Sequence, residues 1–548
     1  MGRTSRQPVR KRLLEKITRR MFLRTAAMAG AAAATMPVAV GCSETAQILP
    51  IPCLAKVDPP AAVAGMTYLR ASAIGCALDC DLGTGRSIRG SGQATDDGST
   101  INAALAGATA ARPITLIIDG GALVSGLNLP PGGHWNIAGL GCGTGFFLKS
   151  GSNSDGIRNQ AGIPPIVDAA GPPPPRGSTV SLSNFTLNAN AGDGRTGDST
   201  SGNALGGPPW LYGINLTNLD NVTMTNVVVV NSPSYQMRLS NAGNVTITGC
   251  VLHSRGLHTD GIHFDGPAND ITIDSCDIVS DDDAIALNCP EGYTGDIERV
   301  TITNCTFNSF RFVRADVDNG TGNPGYLIHA VAIRGCSGTC VADAIILGEA
   351  QGIAADAIDD FTVTDCTITA PAAMELGCPF GAVTLSGLTY TPSGAAGSGY
   401  AMVRSELGQG PVVNVGSSLT FTNCTIVRQK DVPAVALQLL LDTRIAVAEF
   451  DGFSVADRSG SSFASLPGLI QLSAGSVGQL VLSNVAPAHI AGSVAGGSLA
   501  AVGSVAGKGV LATGWKFPDA VMANGSPYVS ADSGQASVKV GGVVKAYP

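Results

Sequence analysis

The chain has 548 residues, with 33 Lys+Arg, 41 Asp+Glu and only 14% charged residues. Nine of the basic residues lie in residues 1–42, but of the acids only Glu15 does, so the remainder carries 24 positive against 40 negative charges, a net of −16. Phosphate neutralisation needs clustered Lys and Arg, so a chain this acidic is excluded as a nucleic-acid binder.

The amino terminus reads as an address. Thr18-Arg19-Arg20-Met21-Phe22-Leu23-Arg24 leads into an Ala- and Gly-rich stretch up to Val40. A basic flank, paired arginines and a mildly apolar run make the pattern of a twin-arginine export signal. The run is too short and too rich in Ala to span a hydrocarbon core of ~30 Å. Ala39-Val40-Gly41-Cys42 is similar to a bacterial lipoprotein cleavage box, with Ala where Leu is commonest, and leaves a lipid anchor at Cys42 open. On either reading the mature protein works outside the cytoplasm, as a periplasmic, membrane-anchored or extracellular protein. No later segment has the length and apolarity of a membrane span.

Residues 43–94 read as a linker and cap region. Thr95-Asp96-Asp97-Gly98-Ser99 then introduces a short helix over Ile101 to Leu105, followed by a strand, Ile114 to Ile118. A helix leading into a first strand suits the amino-terminal cap that a solenoid needs. Gly139-Leu-Gly-Cys-Gly-Thr-Gly145 superficially resembles a nucleotide loop but lacks the strand–loop–helix context, and turn glycines explain it better. Gly171 to Gly177 and Ala191 to Pro209 read as loops.

The middle of the chain repeats. Asn221-Val-Thr-Met-Thr-Asn-Val227, Asn244-Val-Thr-Ile-Thr-Gly-Cys250, Asp270-Ile-Thr-Ile-Asp-Ser-Cys276 and Arg299-Val-Thr-Ile-Thr-Asn-Cys305 share one pattern, and Asp360 to Cys366 and Ser418 to Cys424 continue it. The final positions are 23, 26, 29, 61 and 58 residues apart, as if one degenerate repeat lay in each of the last two gaps. Period-two alternation within a period of 20–30 residues predicts a parallel β-helix, an all-β solenoid over residues 95–441. Residues 442–548 read as final coils and a carboxy-terminal β cap.

Fourteen cysteines in an exported chain suggest disulfides, and Cys76 with Cys80 and Cys336 with Cys340 are close enough to pair. Cys250, Cys276, Cys305, Cys366 and Cys424 instead recur at one repeat position, where a free thiol packs as a small apolar side chain. These five are expected in the core.

The chemistry concentrates between His258 and Leu287. Aligned on their apolar residues, successive coils read Tyr235-Gln-Met-Arg-Leu239, Asp260-Gly-Ile-His-Phe264, Asp283-Ala-Ile-Ala-Leu287 and Arg311-Phe-Val-Arg-Ala315. This register puts Asp260 under Asp283, about 4.8 Å apart, with Asp282 beside them. Arg238, His263 and Arg314 share an outward-facing column. Three carboxylates this close cannot all ionise, so one must hold its proton, as a glycosidase requires.

Asn231-Ser232-Pro233, His258-Thr259-Asp260-Gly261-Ile262 and Asp281-Asp282-Asp283-Ala284-Ile285-Ala286 together resemble the successive motifs of the polygalacturonases, glycoside hydrolase family 28. The resemblance is strong over residues 211–307. It implies a right-handed parallel β-helix and inverting hydrolysis of a pectin-like polysaccharide without a cofactor, with Asp282 matching the general acid and Asp260 and Asp283 the pair that activates water. His258 stands in place of the family's Asn, Asp281 in place of its Gly, and Ser309-Phe310-Arg311 where its Gly-His-Gly belongs. The substrate clamp falls to Arg314, with Arg311 and Arg334 as weaker candidates, and His258 and His263 are candidates for contacting substrate. A monomer acting on a polysaccharide or oligosaccharide is expected. Two alternatives stay open: a polysaccharide lyase on the same scaffold, using Ca²⁺ on the acid cluster and Arg311 or Arg314 as base, and a non-catalytic glycan-binding solenoid.

Overall fold

A computed structural model describes residues 51–159, 172–191 and most of 211–457, with further strands between 470 and 546. The export segment and Cys42 lie outside the described residues, as does most of the loop from Ala191 to Pro209. The fold is a right-handed parallel β-helix.

Each coil of the central region carries three strands. One coil runs from Ile262 to Val279. Ile262 to Asp265 pairs with the first strand of the next coil, Asp283–Asn288. Ala268 to Asp274 pairs with Ile297–Thr303, and Asp277–Val279 with Thr306–Ser309. Among the described residues, twelve strands of the third kind form a sheet of their own. All these pairings are parallel, because every strand returns to the same side of the coil one turn later.

The repeat pattern has a direct conformational cause. The residue before each core cysteine turns the chain between the second and third strands, and it does so at positive φ: Ser275 (54°), Asn304 (53°), Asp365 (52°) and Asn423 (50°), with Gly at 249 and 335. Asn, Asp and Gly are the residues that tolerate this region. In four of the repeats the opening polar residue also adopts positive φ, at Asn244, Asp270, Arg299 and Asp360.

Inward-facing positions stack on their own kind from coil to coil. Ile262, Phe264, Ile271, Ile273 and Ile278 lie over Ile285, Leu287, Val300, Ile302 and Phe307, all buried. Each such side chain contributes about 1.5–3 kcal/mol on burial. Cys250, Cys276, Cys305, Cys366 and Cys424 are buried and free, as the repeat predicts. The two long gaps are explained by Cys336 and Leu388, the missing members of the ladder, whose carbonyls accept the same coil-to-coil bonds.

The short cysteine loops do not form. Cys76, Cys80, Cys336 and Cys340 are all free and buried, so both expected pairings are corrected. The disulfide among the described residues instead joins Cys53 to Cys142, 89 positions apart. Cys142 sits in the glycine-rich loop, where Gly141 and Gly143 adopt positive φ (94° and 79°), so these are turn glycines.

A helix spans Gly98–Leu105 and buries Ile101 and Leu105 in the main core. Asp97 at its start does not cap it. Its carboxylate accepts instead from the backbone N–H groups of Ala77 (2.7 Å) and Leu78 (3.0 Å), tying the preceding loop down. Past Leu441 the parallel register continues through Arg444–Asp451 and Ser476–Ser483, and the final pairing, Ser537–Val540 with Val543–Ala546, is antiparallel.

Candidate active site

The acids lie where the third strand of one coil turns into the first strand of the next. The coil register pairs Ile262 with Ile285 and Ile285 with Val313, so Asp260, Asp283 and Arg311 stack in one column. Gly261 donates its N–H to the Asp283 carbonyl (2.9 Å), which locks the first two together. A Cβ at Gly261 would stand 2.5 Å from the Ala284 carbonyl oxygen and 2.4 Å from Ile278. The Gly after Asp260 is therefore required by the close approach of the coils.

The turn carrying Asp282 is held from below. Ser280 donates its hydroxyl to the Thr259 carbonyl (2.9 Å) and accepts the Asp282 N–H (2.8 Å), while Thr259 Oγ1 accepts the Asp281 N–H (3.2 Å). Asp281, which has no family counterpart, faces away from the other acids. It pairs with Arg255 (2.7 Å) and accepts the Gly256 N–H (2.8 Å), clamping the loop that leads to His258.

Asp260, Asp282 and Asp283 bring carboxylate oxygens within 4.8 Å of one another. Asp260 and Asp283 are buried, whereas Asp282 keeps 24% of its side chain exposed. Burial, and then the charge of Asp260, push the Asp282 carboxyl up to about 7, although Arg311 and Arg314 pull the other way. Burial also raises Asp260, to about 6, with the His263 hydrogen bond opposing and Asp283 adding to the rise. Two carboxyls of one cluster thus titrate near neutrality.

Cations surround the acids. Arg311 and Arg314 reach Asp283 at 3.8 and 4.0 Å, and Arg314 also pairs with Asp316 (2.6 Å). Arg311 lies over the ring of Phe310, 5.0 Å from its centroid. His258 Nδ1 is 3.5 Å from Asp282, and its imidazole is pushed down by burial and then by Arg314, which favours the neutral ring. Arg334 lies exposed on a second-type strand, opposite Thr303, and is no part of this cluster.

His263 requires a correction. The register puts it in the expected column, between Arg238 and Ala286 and two coils from Arg314. However, Arg238 and His263 are fully covered rather than open to solvent, so His263 offers no surface to a substrate. Its Nδ1 bonds Asp260 Oδ2 (2.7 Å), and its ring stacks on Tyr235 (4.1 Å between centroids). Behind it lie Asp265 and Glu291, which the sequence reading missed. Asp265 follows His263 by two residues within an unbroken strand, and Glu291 is a lone acid in a loop, so neither stands out in sequence.

Two groups of donors among the described residues come close enough for a metal ion: His263, Asp265 and Glu291, and the three catalytic-type acids. Neither suits one. Arg238 already occupies Asp265 at 2.6 Å, and two guanidinium groups and the His263 contact surround the acid triad. A divalent cation would have to enter against these charges.

Residues 185–309 match the family model of Glycosyl hydrolases family 28. The matched segment contains all three acids, His258, His263 and Glu291, and it supports a glycoside hydrolase. Among solved structures the chain is similar to a family 28 exopolygalacturonase from Yersinia enterocolitica (12% identity, 75% of this chain and 77% of that one, TM-score 0.47). It is also similar to the polygalacturonase of Erwinia carotovora ssp. carotovora (14% identity, 72% and 100% covered, TM-score 0.40). A third similar structure is PfbA, a surface adhesin of Streptococcus pneumoniae (12% identity, 88% and 99% covered, TM-score 0.45). No curated protein shows significant similarity to the chain. These likenesses concern the fold alone.

Proposed function

We propose that the chain is an exported polysaccharide hydrolase of the pectin-degrading kind, working by acid/base catalysis with inversion. The carrying observation is the triad itself: two carboxylates stacked on successive coils beside a third that is more exposed and held near pH 7. Asp282 gives its proton to the glycosidic oxygen as the C1–O bond breaks. Asp260 and Asp283 take a proton from the water that adds to C1 from the opposite face. The proton gained by the base pair returns to Asp282 through solvent, which closes the cycle. Arg311, Arg314 and His258 line the mouth of the site and are assigned to holding the sugars. The paired arginines at Arg19 and Arg20 support twin-arginine export.

Inversion is inferred from the family match rather than from the spacing. Inverting enzymes usually separate acid and base by about 6.5–9.5 Å, whereas the nearest oxygens here lie within 4.8 Å. Product stereochemistry decides the matter. Proton NMR of the first-formed product from a pectic substrate should show the anomer opposite to the bond cleaved, and retention would sink the water-activating role of Asp260 and Asp283. Incubation with a panel of pectic, alginate and neutral polysaccharides should also be followed by ultraviolet absorbance. An absorbing, chelator-sensitive product would identify a lyase instead.

The pH profile follows from the two raised carboxyls. Asp260 must be ionised and Asp282 protonated, so turnover should peak between about 6 and 7. It should fall below that window as Asp260 gains a proton and above it as Asp282 loses one. Initial rates across pH 4–9 check this, and a rate still rising at pH 9 is incompatible with Asp282 as the acid.

A further inference from the structure

His263 is buried out of reach of substrate but in contact with the triad, and both of its ring nitrogens face carboxylates. Nδ1 lies 2.7 Å from Asp260 Oδ2. Nε2 lies 3.1 Å from Asp265 Oδ1 and 3.5 Å from Glu291 Oε2, set between the two acceptors rather than in line with either. A neutral imidazole carries one N–H and one bare lone pair. In this setting the bare lone pair would face carboxylate charge whichever tautomer formed, Asp260 on one side or Asp265 and Glu291 on the other, so the arrangement calls for the doubly protonated ring.

We propose that His263 is a positioning residue, a buried imidazolium clamped between Asp260 and the Asp265–Glu291 pair, which keeps Asp260 as the carboxylate of the triad and thereby leaves the shared proton on Asp282. The proposal rests on the hydrolase reading above. It explains why two neighbouring acids take opposite roles: Asp260 has a cation in contact on its buried side, whereas Asp282 meets the His258 ring, whose pKa burial and then Arg314 push down.

The groups facing His263 fit this assignment. Asp260, Asp265 and Glu291 surround its nitrogens, Tyr235 covers its face, and Asp282 and Arg238 lie in the next layer. Burial alone would push the imidazole down. The charge of Glu291, the hydrogen bond to Asp260 and the neighbouring Asp265 carboxylate outweigh it and hold the ring well above its ordinary range. Asp265 is in turn kept ionised, because burial is overcome first by Arg238 and then by His263, with Ser240 also donating to it. Glu291 is oriented by the side-chain amide of Asn288 (2.6 Å). The chain Arg238–Asp265–His263–Asp260 therefore alternates charge from the buried side of the site to the reacting water.

Two measurements test the proposal, and the first needs no activity. Nitrogen-15 NMR of the histidine side chains in the wild-type protein, with His263 assigned by its loss in His263→Gln, should show both ring nitrogens protonated from pH 6 to 8. A neutral ring at pH 7 overturns the proposal. The second uses whichever polysaccharide the wild type hydrolyses. His263→Gln and Asp265→Asn should each move the acid limb of kcat/KM to higher pH by about 1–3 units, the size of an adjacent-charge effect, while KM stays within about twofold. A lower rate with the limb unmoved, tracking a lower melting temperature, means that His263 only packs and overturns the proposal. A wild type that cleaves no glycan defeats the hydrolase reading, and the NMR result still decides whether the clamp exists.

Discussion

Asp282→Asn should abolish all but a trace of turnover, lowering kcat by about 10²–10⁴, the usual worth of a general acid, with KM little changed. Asn keeps the size of the side chain and can still meet His258, so the loss isolates the proton. The fold should survive, because Asp282 is partly exposed and its backbone N–H is held by Ser280 whatever the side chain. Above about pH 7, where Asp282 ionises, the substitution also removes a charge from an acidic cluster, so the melting temperature there should hold or rise slightly. A substrate with a leaving group that departs without protonation, such as a nitrophenyl glycoside, should recover much of the lost rate in this variant but not in Asp283→Asn. Retention of more than a tenth of wild-type kcat on the natural polymer would remove Asp282 from the mechanism. Unchanged glycan behaviour across all three Asp→Asn variants would favour the non-catalytic solenoid.

The contrast between the three acids explains what was legible in the sequence. Asp260 and Asp283 could be stacked in advance because a solenoid register is a one-dimensional problem: once Ile262 aligns with Ile285, every neighbour follows. The same logic carried the cysteine ladder, since one residue at positive φ precedes each member and only a few residue types accept that geometry. Arg299 shows the limit, because it occupies such a turn at φ 55° with no hint from its type. The Cys53–Cys142 link was invisible for a different reason. It joins the linker to a loop 89 positions away, and proximity there is set by folding over the first coils rather than by any repeat.

His263 was placed correctly in the register and wrongly in the solvent. Alternation says which side of a strand a residue points to, not what lies over that side. Here the outward face of the first strand is roofed by the loop that carries Glu291 and by Tyr235 from the preceding coil. Burial turns an apparent sugar contact into a support for Asp260. On the coil above, at the place where the resemblance would put Gly-His-Gly, Phe310 and Arg311 donate backbone N–H groups to the Asp282 carbonyl (3.1 and 3.3 Å).

The buried charges behind the triad predict the largest effect on stability. Arg238 is 1% exposed, its Nη2 lies 2.6 Å from Asp265, and its guanidinium stands over Tyr212, 5.5 Å from the ring centroid. Arg238→Met keeps the apolar stem and removes the charge, leaving Asp265 buried with His263 as its remaining cation. Breaking one side of a buried pair costs about 3–5 kcal/mol, far more than the pair contributes over an apolar substitute. The variant should therefore melt well below the wild type, as measured by circular dichroism in parallel with urea unfolding. Arg238→Met combined with Asp265→Asn should recover part of that loss, because the second change removes the stranded charge, and the two effects should not add. A single variant within about 1 kcal/mol of wild type would mean that Asp265 is already satisfied by His263 and Ser240 or takes up a proton. Those outcomes separate by pH: a protonated Asp265 makes the penalty shrink as pH falls through its raised value, whereas a satisfied carboxylate gives a small penalty at every pH.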